Sequence, residues 1–194
     1  FEPKNEAVAG YQEYDVMLCL DRSGSMLFDM SGVDYSYPPN NPNLSNFTSW
    51  GTTWRYHLSP PHPTNSRWAV LSRAVDDFLE IANNLSPQPY TGMVTWASDY
   101  TMPINPNTQY SASTLDVNLP STCNFQAQMV NIQNKISNLG KKPMMGGTNL
   151  SSGLDKAVAT LSGTGCRNLS NKVVILMTDG EWNDGRDPIL AAQD

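Results

Sequence analysis

The sequence lacks the features of several large protein classes. It has no run of about 18 apolar residues, so no stretch of it is predicted to span a membrane. Its three cysteines are too few for a disulfide scaffold and lack the paired spacing of a zinc site. Lys and Arg total 12 against 18 Asp and Glu, and the net charge of −6 argues against a nucleic acid as partner. The same charge balance suits a protein that holds a cation.

Motifs of common enzymes are also absent from the sequence. No Gly-x-Gly-x-x-Gly follows an apolar run and no Walker loop occurs, which argues against nucleotide chemistry. A dehalogenase-type Asp-x-Asp nucleophile would need a second aspartate where Ser23 stands. No set of Ser, His and Asp has support as a catalytic triad. We therefore expect that the protein is not an enzyme.

Apolar runs predict the strands of a central sheet. Near-continuous apolar runs at 14–20 and 172–177 are typical of strands covered on both faces of a parallel sheet, and 90–97 is predicted to be another buried strand. A weaker strand is predicted at 99–104, running antiparallel to the others. Pro103 suits a strand at the edge of a sheet.

Helical periodicity separates these strands. Apolar residues recur at spacings of three and four over about 67–85, 125–139 and 150–161, which predicts three helices, the first with Ser66 as its N-cap. The predicted fold class is α/β, a doubly wound and mostly parallel central sheet with one antiparallel edge strand. We expect residues 1–194 to form one such domain.

Residues 29–66 interrupt the alternation with a long insertion rich in Pro, Asn and Trp. A loop of that length in a compact domain is either functional or poorly ordered. It follows the first strand's exit turn directly, so it should lie beside whatever that turn builds. Its aromatic side chains could form a contact surface or pack the loop on itself, and its two histidines could bind a second metal or be ordinary loop residues. These side chains are Tyr35, Tyr37, Trp50, Trp54, Tyr56, His57 and His62.

Small oxygen-bearing side chains occur at three points that should meet. Asp21, Ser23 and Ser25 follow the first strand. Thr148 stands between a glycine pair and a helix start, and Asp179 follows the last strand. In a doubly wound sheet these points share the carboxyl edge, where ligands bind. Two carboxylates and three hydroxyls suit Mg²⁺, with Mn²⁺ or Ca²⁺ as alternatives. The sequence therefore predicts a divalent metal site.

The pattern Asp-x-Ser-x-Ser, the distant Thr after glycines and the strand ending in Thr-Asp-Gly resemble a known site. It is the metal-ion-dependent adhesion site of von Willebrand factor A domains, and the order of strands and helices is similar over most of the chain. The resemblance implies that Ser23, Ser25 and Thr148 are inner ligands. It implies that Asp21 and Asp179 supply charge and bind directly or through water. One position would stay open for a Glu or Asp carboxylate from a protein partner.

Within that family, the segments VMLCLDRSGSM and SRWAVLSRAVDDFL and the long insertion look most like TadG-like proteins of bacterial tight-adherence pilus assembly. This resemblance implies an extracytoplasmic adhesion domain, membrane-anchored by a segment upstream of Phe1. The alternative is a cytoplasmic scaffold that works with an AAA ATPase, as chelatase-type A domains do. Oxidised cysteines and an upstream anchor would favour the first, and a neighbouring AAA ATPase gene with reduced thiols the second.

The predicted topology bears on the cysteines and on the end of the chain. Cys123 and Cys166 should both lie at the sheet end opposite the metal, and we predict a disulfide between them, which implies an oxidising compartment. Cys19, inside the first strand, is expected to be an inert buried thiol. The family usually adds a further helix, two strands and a last helix after Asp179. We therefore expect the domain to be incomplete at Asp194, with the flank of the last strand exposed or covered by another chain.

Overall fold

The fold is built around a sheet of four strands, and the computed structural model describes residues 12–33, 36–44, 56–101, 109–122, 124–163, 165–180 and 182–193. The strands are β1 (Tyr14–Asp21), β2 (Tyr90–Trp96), β3 (Tyr100–Thr101), β4 (Gln109–Tyr110), β5 (Ser113–Val117) and β6 (Asn171–Met177). The helices are α1 (Arg67–Asn83), α2 (Phe125–Leu139), α3 (Leu150–Leu161) and α4 (Pro188–Gln193), and a 3₁₀ turn spans Gly24–Leu27.

β1 lies inside the sheet, whose strand order is β5-β2-β1-β6. β2 and β6 both run parallel to β1, and β5 runs antiparallel to β2. Every residue of β1 after Tyr14 is buried, because neighbouring strands and helices enclose it on all sides. The predicted α/β fold, with a mostly parallel sheet and one antiparallel edge strand, is therefore confirmed.

The antiparallel edge strand is not the segment that the sequence predicted. Tyr100–Thr101 pairs with Gln109–Tyr110 in a separate two-stranded sheet, while Ser113–Val117 occupies the edge beside β2. The remainder of the predicted strand, 102–104, lies outside the described residues. The prediction was wrong because β5 is short and mostly polar. An edge strand needs less apolar surface than a central one, so it leaves no apolar run in the sequence.

β6 is the other edge of the sheet, as expected for a domain whose last strand has an exposed flank. Val174 packs against one core and Ile175 against the other, so both faces of the strand are partly covered. Its residues range from partly buried to exposed, and Leu176 is 38% exposed. Within the described part of the chain, no strand pairs with its outer side. The apolar run of β6 therefore resembles that of a central strand although its surroundings are those of an edge.

Helices cover both faces of the sheet and create two apolar cores. Successive residues of a strand point to opposite faces, so β1 contributes alternate side chains to the two cores. The core under α1 and α2 includes Leu18, Leu20, Trp68, Val75, Leu79, Met93, Ile132 and Ile136. The core under α3 includes Met17, Cys19, Val94, Trp96, Leu150, Ala157 and Leu161.

The helices begin where polar side chains cap them. Ser66 accepts a hydrogen bond from the backbone N–H of Ala69 at 3.1 Å, which confirms it as the N-cap of α1. The predicted bounds of α2 and α3 are confirmed, but α1 ends at Asn83 and leaves Leu85 exposed. None of the helices in the described ranges is long and apolar enough to cross a membrane.

The cysteine predictions have different outcomes. Cys19 is fully buried, and burial raises the pKa of its thiol to about 12, so the prediction of an inert thiol is confirmed. Cys166 carries a free thiol among the described residues, and its Sγ donates to the carbonyl of Thr160 at 3.1 Å. Cys123 lies outside the described residues, so the Cys123–Cys166 disulfide stays a prediction.

Gly153 allows α3 to lie close against β2. A Cβ at this position would lie 2.3 Å from Cδ1 and 2.5 Å from Cγ of Trp96, a side chain that is fully buried. Neither the ring nor the helix has room to move, because the core around them is closely packed. The close contact matters for the site, since α3 begins two residues after Thr148.

We predict that Gly153→Ala lowers the free energy of unfolding by about 1–3 kcal/mol, the usual range for overpacking a core. The sign is informative, because alanine in place of glycine inside a helix otherwise stabilises by up to about 1 kcal/mol. Urea denaturation of the variant measures the change. Gly165→Ala is the control, because a Cβ there meets no atom within 4 Å. Equal stability of both variants would contradict this account of α3.

Candidate metal centre

The turn after β1 and the end of β6 bring three predicted ligands into direct contact. Ser23 Oγ lies 3.0 Å from Ser25 Oγ, and Ser25 Oγ donates to Asp179 Oδ1 at 2.9 Å. Ser25 and Asp179 are 154 residues apart in the chain. They meet because β1 and β6 are parallel neighbours whose carboxyl ends lie at the same edge of the sheet.

Thr148 reaches the same place from the loop before α3. It lines a cavity of about 670 Å³ together with Ser25 and Asp179. The loop is tied to the turn after β1 by a hydrogen bond from Gly24 N–H to the carbonyl of Gly146, at 2.9 Å. Gly146 has φ +98°, and a Cβ there would lie 2.9 Å from the carbonyl of Ser98. Only glycine fits this approach of the Thr148 loop to Ser98, which follows β2.

Asp21 is the buried carboxylate beneath the cavity. Its side chain accepts from the backbone N–H of Ser23 and from the hydroxyl of Thr178, both at 2.7 Å. Burial raises the pKa of Asp21 to about 6, because desolvation disfavours its charged form more than these two hydrogen bonds favour it. No Lys or Arg in the described part of the chain forms an ion pair with it.

A second buried carboxylate on the same strand shows what Asp21 lacks. Asp15, at the opposite end of β1, is also fully buried, but it lies 2.8 Å from the guanidinium of Arg167 and 2.7 Å from the ammonium of Lys172. Burial acts to raise the pKa of Asp15, but hydrogen bonds from these two residues and Ser170 hold it below its usual value. Among the residues that the structure describes, the acid at one end of β1 thus has two cationic partners and the acid at the other end has none.

Asp179 has a cationic partner that the sequence analysis did not identify. Nη1 of Arg67 lies 2.6 Å from Asp179 Oδ2, and both side chains are largely buried. The Arg67 Nε also donates to the carbonyl of Asp29 at 3.1 Å, and its guanidinium lies over the ring of Phe28. Asp179 therefore presents one oxygen to Ser25 and the other to Arg67.

Two further residues that the sequence analysis missed support the ligands. Thr178 holds Asp21 through its hydroxyl. Asn183 Oδ1 accepts from the backbone N–H of Thr148 at 2.8 Å, and its own N–H donates to the Thr148 carbonyl at 3.2 Å. Both lie within five residues of Asp179, so a search of that segment for hydrogen-bonding side chains could have found them. Arg67 gives no such signal, because it is 112 residues from its partner.

The described part of the insertion forms one wall of the cavity. His57 lines the cavity, and its Nε2 lies 2.9 Å from the hydroxyl of Tyr37. Tyr37 stacks on Tyr56 and meets the edge of Phe28, so these two tyrosines pack on the domain rather than extend from it. His62 is buried elsewhere and accepts from neighbouring backbone N–H groups. Tyr35, Trp50 and Trp54 lie outside the described residues.

The donor atoms suit a small divalent cation. Adjacent ligands of an octahedral ion with metal–oxygen distances of about 2.1 Å are about 3 Å apart. The separations of 3.0 Å and 2.9 Å along Ser23, Ser25 and Asp179 have this size. No group of three or more His, Cys, Asp or Glu side chains in the described residues could hold a metal. A metal centre here must therefore draw on hydroxyl ligands.

The sequence model of the von Willebrand factor type A domain matches residues 16–181. The chain belongs to this family. The matched range begins in β1 and extends past Asp179. It therefore includes the four strands of the main sheet and all five predicted ligands. Comparison with curated proteins gave no match.

Solved structures with a similar fold are much longer than this A domain. The PilB minor pilin from Streptococcus sanguinis is 19% identical, with a TM-score of 0.53 over 90% of this chain and 31% of that one. Proximal thread matrix protein 1 from the mussel byssus is 18% identical, with a TM-score of 0.54 over 94% and 33%. The pilus adhesin SpaC from Lactobacillus rhamnosus GG is 21% identical, with a TM-score of 0.49 over 88% of this chain and 16% of that one. At these identities the likeness shows the fold alone.

The buried charge of Asp21 predicts how pH and metal affect stability. The pKa of about 6 in the folded chain lies above the ordinary value of 3.8. The folded, metal-free domain therefore holds a proton between about pH 4 and 6 that the unfolded chain has lost, and this contribution to stability disappears as the pH rises through that window.

We predict that Asp21→Asn stabilises the domain by up to about 3 kcal/mol in EDTA at pH 7, because it removes a charge that costs this much to bury. The gap between variant and wild type should close as the pH falls to 4. Mg²⁺ should raise the melting temperature of the wild type and leave that of the variant unchanged. Urea denaturation and thermal melts measure both effects. A variant less stable than wild type in EDTA at pH 7 would contradict this account.

Proposed function

We propose that this A domain binds a divalent cation through Asp21, Ser23, Ser25, Thr148 and Asp179 and uses it to bind a protein partner. Mg²⁺ fits the ligands best, with Mn²⁺ or Ca²⁺ as alternatives. The observation that carries the proposal is a buried carboxylate, without an ion pair to any described Lys or Arg, beside three hydroxyls at the carboxyl edge of the sheet. A cation bound there supplies a positive charge and an open coordination position to a Glu or Asp of the partner.

The charges around the cavity favour an acidic ligand. Asp21 and Asp179 carry two negative charges and Arg67 one positive charge, which leaves −1. A divalent ion changes this sum to +1. The three hydroxyl ligands are neutral and offset none of it, so Ser23, Ser25 and Thr148 hold the ion while leaving a net attraction for a carboxylate. A cage of carboxylates alone would have no such attraction.

The proposed activity is binding, without catalysis. Ser25 donates its hydroxyl proton to Asp179, and Ser23 shares a hydrogen bond with Ser25. These contacts orient the hydroxyl oxygens toward one another, which suits metal ligands. A catalytic serine would instead need a neighbouring general base that removes its hydroxyl proton while the oxygen attacks a substrate.

We also propose an extracytoplasmic role in surface attachment, as in the TadG-like proteins that the sequence resembles. A minor pilin shares this fold, which agrees with such a role. The predicted disulfide between Cys123 and Cys166 belongs to this proposal, since it would form only in an oxidising compartment. Cysteines 123 and 166 that both react with an alkylating agent in protein taken from cells would remove this support.

We predict that Thr148→Ala weakens binding of Mg²⁺ and Mn²⁺ by about tenfold or more, because it removes a ligand that no neighbour can replace. Isothermal titration of the metal-free domain measures the affinity. The control is Thr160→Ala on α3, whose hydroxyl donates to a carbonyl of its own helix and does not line the cavity. Wild type and Thr160→Ala should bind one ion per chain with equal affinity.

The partner carboxylate can be tested with Mn²⁺ as a paramagnetic probe. N-acetyl-glutamate amide in excess over the Mn²⁺-loaded domain should show faster relaxation of its γ-methylene protons than N-acetyl-glutamine amide does. Equal relaxation of the two compounds would sink the carboxylate part of the proposal. Equal metal affinity of wild type and Thr148→Ala would sink the metal part.

A further inference from the structure

A second cleft beside the cavity carries a concentration of positive charge. It has a volume of about 670 Å³ and lies between the end of β2, the strand β5 and the C-terminal end of α2. Arg22, Lys135, Lys141 and Lys142 line it, and we call it the lysine cleft. These are four of the 12 Lys and Arg residues in a chain whose net charge is −6. The lysine cleft therefore has the opposite sign to the chain as a whole.

Asp116 is the only carboxylate among the described residues that line the lysine cleft. Its Oδ2 accepts from the Thr95 hydroxyl at 2.5 Å, and its Oδ1 lies 3.6 Å from the ammonium of Lys135. Lys141 and Lys142 are exposed and form no ion pair with a described residue. Four positive charges and one negative charge leave +3 on the lining, and no carboxylate of the cleft is placed to neutralise Lys141 or Lys142.

Two chain segments that line the lysine cleft continue into the proposed metal site. Arg22 stands between Asp21 and Ser23 in the chain and is 6% exposed, with its guanidinium bonded to the carbonyl of Ser111. Met144 lines the cleft two residues before Gly146, whose carbonyl holds the turn after β1.

The lining indicates which anion would fit. Leu139, Pro143 and Met144 add apolar surface to the cationic groups, a mixture that suits a peptide with acidic and apolar side chains. The negative charge of the rest of the chain opposes a long phosphate polymer. We propose that the lysine cleft binds an acidic segment of a protein partner. That this partner also supplies the carboxylate to the metal rests on the function proposed above.

A role in stabilising the C-terminal end of α2 would explain only part of the cluster of cationic side chains in the lysine cleft. Lysines that follow a helix interact favourably with the negative end of its dipole, and Lys141 and Lys142 follow α2. Arg22 and Lys135 are not at that helix end, yet they line the same cleft. The test must therefore measure stability as well as binding.

The test is fluorescence anisotropy of a labelled hexaglutamate peptide titrated with the 194-residue chain in EDTA at low ionic strength. The double variant Lys141→Gln/Lys142→Gln should bind about tenfold more weakly than wild type, since two close charge pairs are lost. Arg73→Gln/Lys156→Gln is the matched control, because it makes the same change in net charge at exposed positions outside the cleft. The control should bind as the wild type does.

Three outcomes would overturn the proposal. One is equal loss of affinity in both double variants, which would indicate general charge attraction. Another is a lysine variant that loses stability in urea without losing affinity, which would indicate the helix-end role alone. The third is a higher affinity of the wild-type domain for a single-stranded oligonucleotide of equal charge than for the peptide. Because EDTA removes the metal, this titration measures the lysine cleft alone, and a failure of the metal proposal leaves its result unaffected.

Discussion

The site depends on one buried negative charge at the end of the central strand. Asp21 is enclosed by the sheet and by the turn that follows it, and it accepts hydrogen bonds from an N–H group and a hydroxyl of the described residues. At the other end of the same strand, Asp15 has Arg167 and Lys172 within 2.8 Å. A carboxylate buried without a counter-charge destabilises a fold unless a cation is supplied from outside. That asymmetry is the physical basis of the proposed metal centre.

The surrounding architecture positions the other donors around that charge. The parallel pairing of β1 with β6 brings Asp179 to the turn after β1, and Arg67 holds one of its oxygens. Gly146 lets the loop of Thr148 lie close to Ser98 after β2, and Gly153 lets the following helix lie against Trp96. The proposed metal site therefore depends on close contacts that a side chain larger than hydrogen would prevent. The same loops form the border of the lysine cleft, so the two binding surfaces share their structural support.

The sequence predicted those parts of the molecule that local patterns determine. The five predicted ligands could be identified because each follows a strand or precedes a helix, and the topology brings such points to one edge of the sheet. They are Asp21, Ser23, Ser25, Thr148 and Asp179. Arg67 could not be selected, because its role comes from a contact across 112 residues. β5 was missed because an edge strand has little apolar signal. The apolar run of β6 resembles that of β1, although β6 lies at the edge of the sheet and β1 inside it. The contact of Arg67 and the positions of β5 and β6 in the sheet depend on neighbours in three dimensions. The local sequence does not specify those neighbours.

The most direct test of the metal centre is X-ray diffraction from crystals of the domain soaked in Mn²⁺, measured on both sides of the manganese absorption edge. We predict one strong anomalous peak from an ion that is bonded to the hydroxyl oxygens of Ser23, Ser25 and Thr148 and lies close to the carboxylates of Asp21 and Asp179. An anomalous map without a peak in that cavity, with the hydrogen bond from Ser25 to Asp179 intact, would contradict it.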